Sequence, residues 1–395
     1  MKEKGSVFSG SKNRRSFLKS GMVAGAATIG TAMLPASPVA FAAENDDDEP
    51  ITKGDIAILT FLSALEQVEA DLWIQYAELG GATTQGTSSP IDLPFVGGLA
   101  PNYITALEVL DGDMPQYISD NTDDEISHHR FLNNYLASKG AKTIDLSEFA
   151  TLPPSQVTGV PKNGRLTNLK QLTVDTTWWT RLRSENANPD FGGTFENAVP
   201  DLAKGQHPAI PVNDGDLALN PDGSISNRLQ AIANTAGFHF AFIEQGGSSL
   251  YPALAQKVSN LEVLRILLSI GGSEIAHFQT WHDKAGNATN ITDGNLTFPD
   301  LNSAVDPNSG TSGTSVADLF QTNLIMPEPT LFLNEKLGPV SIIRPTSTRQ
   351  GGAVASVKSF VDDGLFLDPA TSKNTGIVQV LFALAEKADA ARRTF

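Results

Sequence analysis

The chain has 395 residues, of which 40% are hydrophobic and 18% charged, and its formal net charge is −16. That length can bury one large core or two modest ones, and that acidity argues against a nucleic-acid partner, which requires a basic face. There is no cysteine, so disulfides, iron–sulfur clusters, zinc knuckles and thiol nucleophiles are excluded, and any metal must be held by oxygen and nitrogen.

Near the start, Asn13-Arg14-Arg15-Ser16-Phe17-Leu18-Lys19 precedes a weakly apolar, Gly/Ala-rich run from Gly21 to Leu34 and the triplet Ala40-Phe41-Ala42. This order of charge, mild apolar stretch and small-residue triplet resembles a twin-arginine export signal cleaved after Ala42. The expectation is a signal peptide over residues 1–42 and a periplasmic or extracellular protein. The apolar run is shorter than the roughly 20 residues of a membrane span, so no transmembrane anchor is expected after cleavage. That segment is net basic, with Lys2, Lys4, Lys12, Arg14, Arg15 and Lys19 against Glu3, and its loss would leave a still more acidic protein. Twin-arginine export carries folded proteins, which suits a cofactor inserted beforehand. Residues 43–53, with Glu44–Pro50 at their centre, read as a solvated acidic linker.

Residues 54–286 read as four long helices. In the first, Thr52 or Asp55 is the candidate cap, Ile58, Leu59, Leu62, Leu65, Glu66, Glu69, Leu72, Trp73 and Tyr76 recur at helical spacing, and Gly80-Gly81 ends the run. A loop over 82–100 and a short helical piece, Tyr103 to Leu110, lead to Asp113-Met114-Pro115, where a second helix starts and runs to Ser138. A start at Thr122 is an alternative that would make Thr122 to Glu125 a capping box and use Glu125 as a cap. Residues 143–222 are irregular and too many for a structureless loop, so an ordered insertion packed on the bundle is expected. The third helix begins near Ser224 or Ser226, carries Glu244 and continues past Gly246-Gly247 toward Tyr251. The fourth opens with Ser259-Asn260-Leu261-Glu262, read as a capping box, and ends near Gly286, with Gly271-Gly272 one turn before Glu274. Over 287–395 a short strand is expected at Val340 to Ile343 and helices at Gly352 to Phe360 and Gly376 to Arg392. This extension would cover the bundle or pair subunits into a homo-oligomer.

The chemistry sits on the four helices. Glu125-Ile126-Ser127-His128 and Glu274-Ile275-Ala276-His277 each place a carboxylate and an imidazole on one helical face. Glu66 and Glu244 are each set in an apolar stripe on the helix before. Two carboxylates free to bridge, two terminal carboxylates and one imidazole per metal form the pattern of a dinuclear carboxylate site in a four-helix bundle. Glu125 and Glu274 are the bridging candidates, His128 and His277 the nitrogen ligands, and Glu66 and Glu244 the terminal carboxylates. Glu69 could replace or supplement Glu66. An aromatic seven residues after the glutamate in both first helices, Trp73 after Glu66 and Tyr251 after Glu244, favours Glu66. The competing reading is a metal-free bundle whose buried Glu and His satisfy one another. Trp73 and Tyr251 read as core aromatics. His129, His207, His239 and His282 read as packed or surface histidines, with an outer supporting role open to His129, His239 and His282.

With that pattern and the signal before it, residues 54–286 resemble the bacterial exported ferritin-like domain family, within the ferritin-like di-metal carboxylate superfamily. The resemblance implies a mainly α fold: an antiparallel four-helix bundle, here with a long insertion and an irregular C-terminal extension. It implies two iron or manganese ions on Glu66, Glu125, His128, Glu244, Glu274 and His277, with O2, peroxide or the metal itself as reaction partner. An oxidoreductase of ferroxidase, catalase or oxidase type follows from it. The alternative is a non-enzymatic envelope or stress-related scaffold with a structural metal or none. The insertion and the last hundred residues depart from compact members and speak against a ferritin-type cage. The lack of cysteine speaks against rubrerythrin-type electron transfer.

Overall fold

Helix α1 (Lys53–Gly80) begins with a closed capping box that uses both candidate residues. The Asp55 N–H donates to Thr52 Oγ1 at 3.1 Å, and the Thr52 N–H donates to the Asp55 carboxylate at 3.0 Å. The helix ends at Gly80, and a Cβ on Gly81 would lie 2.6 Å from the Ala77 carbonyl and 2.7 Å from Ser119 Oγ. A short α2 (Pro101–Glu108) leads to α3 (Met114–Ser138), with Pro115 in its first turn. Helix α3 runs unbroken through Thr122, whose hydroxyl donates to the Ile118 carbonyl at 2.7 Å and the Trp73 carbonyl at 3.1 Å. The alternative start at Thr122 is therefore wrong. Glu125 lies in mid-helix and caps nothing.

After the insertion, which contributes α4 (Thr177–Arg183), α5 (Asn227–Ala255) starts at Ser226, and α6 (Leu261–Ala285) starts at Asn260, whose side chain accepts from the Val263 N–H at 3.1 Å. The expected Ser259–Glu262 box does not form. Glu262 instead accepts from the Tyr135 hydroxyl and pairs with Lys139, both at 2.7 Å, tying α6 to α3. Helix α1 packs along α3, and α5 along α6. The short α5–α6 connection makes those two antiparallel neighbours. Their apolar faces share one core that includes Leu62, Tyr76, Phe240, Leu267 and Trp281.

The structure is a computed structural model that describes residues 50–82, 97–183, 194–301, 336 and 351–394. The signal-like segment, most of the acidic linker, most of the loop at 82–100 and the strand expected at 340–343 lie outside the described residues. Within the insertion, Arg165 pairs with the buried Glu78, and Thr167 donates to Asp71 through its N–H at 2.9 Å and its hydroxyl at 2.6 Å. Asp71, Gln75 and Glu78 thus form a polar face of α1 against which the insertion docks. Trp178 and Trp179 are buried beside Phe238 and His282.

The C-terminal extension opens with a two-stranded hairpin, β1 (Ile291–Asp293) and β2 (Leu296–Phe298). Helices α7 (Ala353–Asp362) and α8 (Ile377–Ala390) follow, separated by the short pair β3 (Leu367–Asp368) and β4 (Lys373–Asn374). Helix α8 lies on α1 and α7 on α8. Asp389 joins these parts: its carboxylate accepts from the Ala353 and Val354 N–H groups at 3.1 and 2.9 Å and from Lys257 at 3.0 Å. No helix among the described residues is long and apolar enough to cross a membrane.

Candidate metal centre

All six residues singled out by the sequence converge in the bundle. Glu66 comes from α1, Glu125 and His128 from α3, Glu244 from α5, and Glu274 and His277 from α6. They form two overlapping groups, Glu66–Glu125–His128–Glu274 and Glu125–Glu244–Glu274–His277, and Glu125 and Glu274 belong to both. Both imidazoles turn Nδ1 inward. His128 Nδ1 lies 3.2 Å from Glu66, 3.1 Å from Glu125 Oε2 and 3.3 Å from Glu274, while His277 Nδ1 lies 3.2 Å from Glu125 Oε1 and 3.3 Å from Glu244. The two oxygens of Glu125 thus face different histidines.

The outer atoms are fixed by residues whose pairing is not readable from the sequence. Tyr251, seven residues after Glu244, donates its hydroxyl to Glu66, and Trp73, seven after Glu66, donates its indole N–H to Glu244 at 3.0 Å. The residue before each ExxH glutamate supports the other motif's histidine: Asp124 accepts from His277 Nε2, and Ser273 meets His128 Nε2, both at 3.1 Å. Ser273 already donates to the Ile270 carbonyl, so it accepts from His128. Both Nε2 atoms then keep a proton, so that a cation displacing the Nδ1 protons would meet inward-facing lone pairs. Asn121 donates to Glu125 at 2.9 Å and Glu244 at 3.0 Å and is itself held by the Trp281 indole at 2.7 Å. The seven-residue spacing is visible in the sequence. The reciprocal donation requires knowing that α1 faces α5.

Burial makes this cluster costly without cations. Glu125, Glu244 and Glu274 are fully buried. Glu274 Oε2 has neither a hydrogen-bond nor an ion-pair partner among the described residues, and Glu244 Oε2, Glu274 Oε1 and His277 Nδ1 make only the Glu–His contacts of 3.2–3.3 Å within the cluster. Burial pushes Glu274 up to about 8 and Glu125 up to about 7, with neighbouring carboxylates adding to the rise, and it raises Glu244 as well. Burial would also raise Glu66, but the adjacent His128 and hydrogen bonds from His128 and Tyr251 leave it lowered. Burial would lower both imidazoles, yet the facing carboxylates hold them well above the usual histidine range. Protons therefore occupy the metal-free cluster at neutral pH. Four glutamates and two neutral imidazoles would balance two divalent cations, so the unpartnered Glu274 oxygen, the charge and the donor chemistry all suit a metal pair.

Glu69 belongs to neither group, but it is buried close enough to Glu66, Glu274, Glu125 and Glu244 for their charges to add to the rise that burial gives its carboxyl. His239 Nδ1 shares a hydrogen bond of 2.7 Å with the Tyr76 hydroxyl, and burial pushes the imidazole down to about 3, so it is a neutral core residue. His282 lies among Trp178, Trp179 and Phe278, and His207 faces the Asp201 carbonyl at 3.1 Å. His129 is half-buried beside His128. Both glycine pairs lie in continuous α-helix, and one member of each allows close approach. A Cβ on Gly247 would collide with the Glu274 carboxylate, and one on Gly271 would lie 2.8 Å from Tyr251 Cβ, whereas Gly246 and Gly272 would meet nothing within 4 Å.

A family model described as a ferritin-like domain matches residues 54–287. No curated protein and no solved structure matches the chain. The family match spans all four bundle helices and every residue of the cluster, and the chain belongs to the ferritin-like domain family.

Proposed function

We propose that Glu66, Glu125, His128, Glu244, Glu274 and His277 hold two iron or manganese ions, with Glu125 and Glu274 shared, and that the protein is an exported oxidoreductase acting on O2, peroxide or the metal itself. The observation that carries the reading is a buried cluster of four glutamates and two histidines with two shared carboxylates, in which Glu274 Oε2 has no partner among the described residues and Glu244 Oε2, Glu274 Oε1 and His277 Nδ1 meet only atoms of the cluster. Such a metal pair would supply one-electron steps and open coordination positions for an oxygen species. The chain's own part is positional. Asp124 and Ser273 keep the imidazole lone pairs inward, Tyr251 and Trp73 hold one oxygen each of Glu66 and Glu244, and Asn121 steadies Glu125. Aromatic packing of Trp73, Tyr76, Phe240 and Trp281 keeps water from one side.

Export rests on the twin-arginine pattern of residues 1–42. Replacing Arg14 and Arg15 with Lys should retain the protein in the cytoplasm, read by cell fractionation, whereas unchanged export would remove that part of the reading. For the chemistry, protein reconstituted with Fe(II) or Mn(II) should oxidise Fe(II) or consume peroxide. The double variant Glu125→Gln, Glu274→Gln should do neither. Equal rates in wild type and double variant would sink the redox reading.

A further inference from the structure

Glu69 lies one turn beyond Glu66 on α1 and is 2% exposed, yet among the described residues it makes no hydrogen bond or ion pair. A buried carboxyl group without a partner is costly, and such a group facing a cavity points to a ligand. Glu69 lines a cavity of about 160 Å³ between α1, α5 and α7. Leu65, Phe242, Leu250 and Phe360 supply its apolar walls. Helix α7 and the residue before it line one side with Gly352, Ala355, Ser356, Ser359 and Phe360, the spacing of a single helical face, and the cavity opens to solvent. Gly247 lines the cavity as well, and it abuts the shared carboxylate of Glu274. The cavity therefore ends one backbone thickness from the metal cluster.

We infer that this cavity binds a small neutral molecule of about one ring carrying a hydroxyl group, with the ring between Leu65, Phe242, Leu250 and Phe360 and the hydroxyl on Glu69. The size fits, since an apolar cavity of about 150 Å³ accepts benzene. The walls are mainly apolar, so a charged molecule would lose its hydration there without full compensation, which favours a neutral one. The pocket's role as a substrate or reductant site rests on the metal reading above, whereas its occupancy does not.

Phenol is the probe, titrated into the metal-free full chain and followed by calorimetry and ligand-observed NMR. Gly246 lines the cavity, and a Cβ added to it would meet nothing within 4 Å, so Gly246→Leu should grow into the space without disturbing α5. Ser356→Phe fills it independently from α7. Saturable one-to-one binding is expected in the wild type, weakened at least tenfold in both filled variants and in Glu69→Ala. Metal stoichiometry should stay unchanged in Gly246→Leu and Ser356→Phe. Absence of saturable binding, or wild-type affinity in a folded filled variant, overturns the inference. Phenol binding without metal loading would leave the pocket standing and remove the proposed function instead.

Discussion

His277 and His128 differ in what stands behind them. The outer nitrogen of His277 meets a carboxylate, Asp124, and that of His128 a hydroxyl, Ser273. A carboxylate behind a ligating imidazole raises its basicity and fixes its tautomer, and losing such a partner costs roughly 10- to 100-fold in metal affinity. The two proposed metal positions should therefore be unequal, with the group containing Glu244 and His277 filling first. Asp124→Asn should weaken that first binding step by about tenfold or more, and Ser273→Ala should weaken the other step by less, both read by calorimetric titration with Mn(II). Equal affinities for the two steps in the wild type would contradict the asymmetry. The six ligand candidates were legible because ExxH spacing and inward placement are one-helix properties. Asp124 was not, because it leaves α3 about 100° from Glu125 and finds its partner on α6. Its role depends on a neighbour that spacing alone cannot supply.

At the scale of elements, helix starts show where local signals compete with tertiary ones. Thr52 and Asp55 form their capping box as local chemistry dictates. Glu262 has the right position for such a box but is taken by Tyr135 and Lys139 on α3. The glycine pairs were visible in the sequence, but the division of labour within each pair is decided by what lies opposite. Gly247→Ala should displace Glu274 and lower metal loading, and Gly271→Ala should destabilise the fold by pressing on Tyr251. Gly272→Ala, at an exposed position with open space around it, should stabilise the protein by up to about 1 kcal/mol through helix propensity. Denaturant melts and metal analysis of the three variants check this pattern. The docking face Asp71–Gln75–Glu78 was hidden for a related reason: its partners, Arg165 and Thr167, come from an insertion with no periodicity to place them.

For the whole molecule, the cluster links fold stability to pH and to metal. Glu274 and Glu125 rise to about 8 and about 7 from an ordinary 4.5, and both imidazoles rise as well. The metal-free fold thus binds more protons than the unfolded chain across neutral pH, and stability falls with rising pH wherever the native state holds the excess. Glu66 acts in the opposite sense, but its lowered carboxyl matters only in the acid range. The Tm of the metal-free protein should fall as pH rises from about 6 to about 8.5, whereas metal-loaded protein should lose this trend because cations replace the protons. A metal-free Tm that climbs over that interval would contradict the protonated cluster. The family, the four helices and the Glu/His cluster could be anticipated from residues 54–286, while the junction of α7, α8 and the α5–α6 connection at Asp389 could not, since Lys257 reaches it from more than a hundred residues away.

The central claim is that these six side chains hold a metal pair, and elemental analysis of the reconstituted full chain tests it most directly. Two iron or manganese ions per chain are expected in the wild type, with near-complete loss in the Glu125→Gln, Glu274→Gln variant while the helical circular dichroism is retained. Less than one metal per chain in the wild type, or full loading of that variant, would contradict the account.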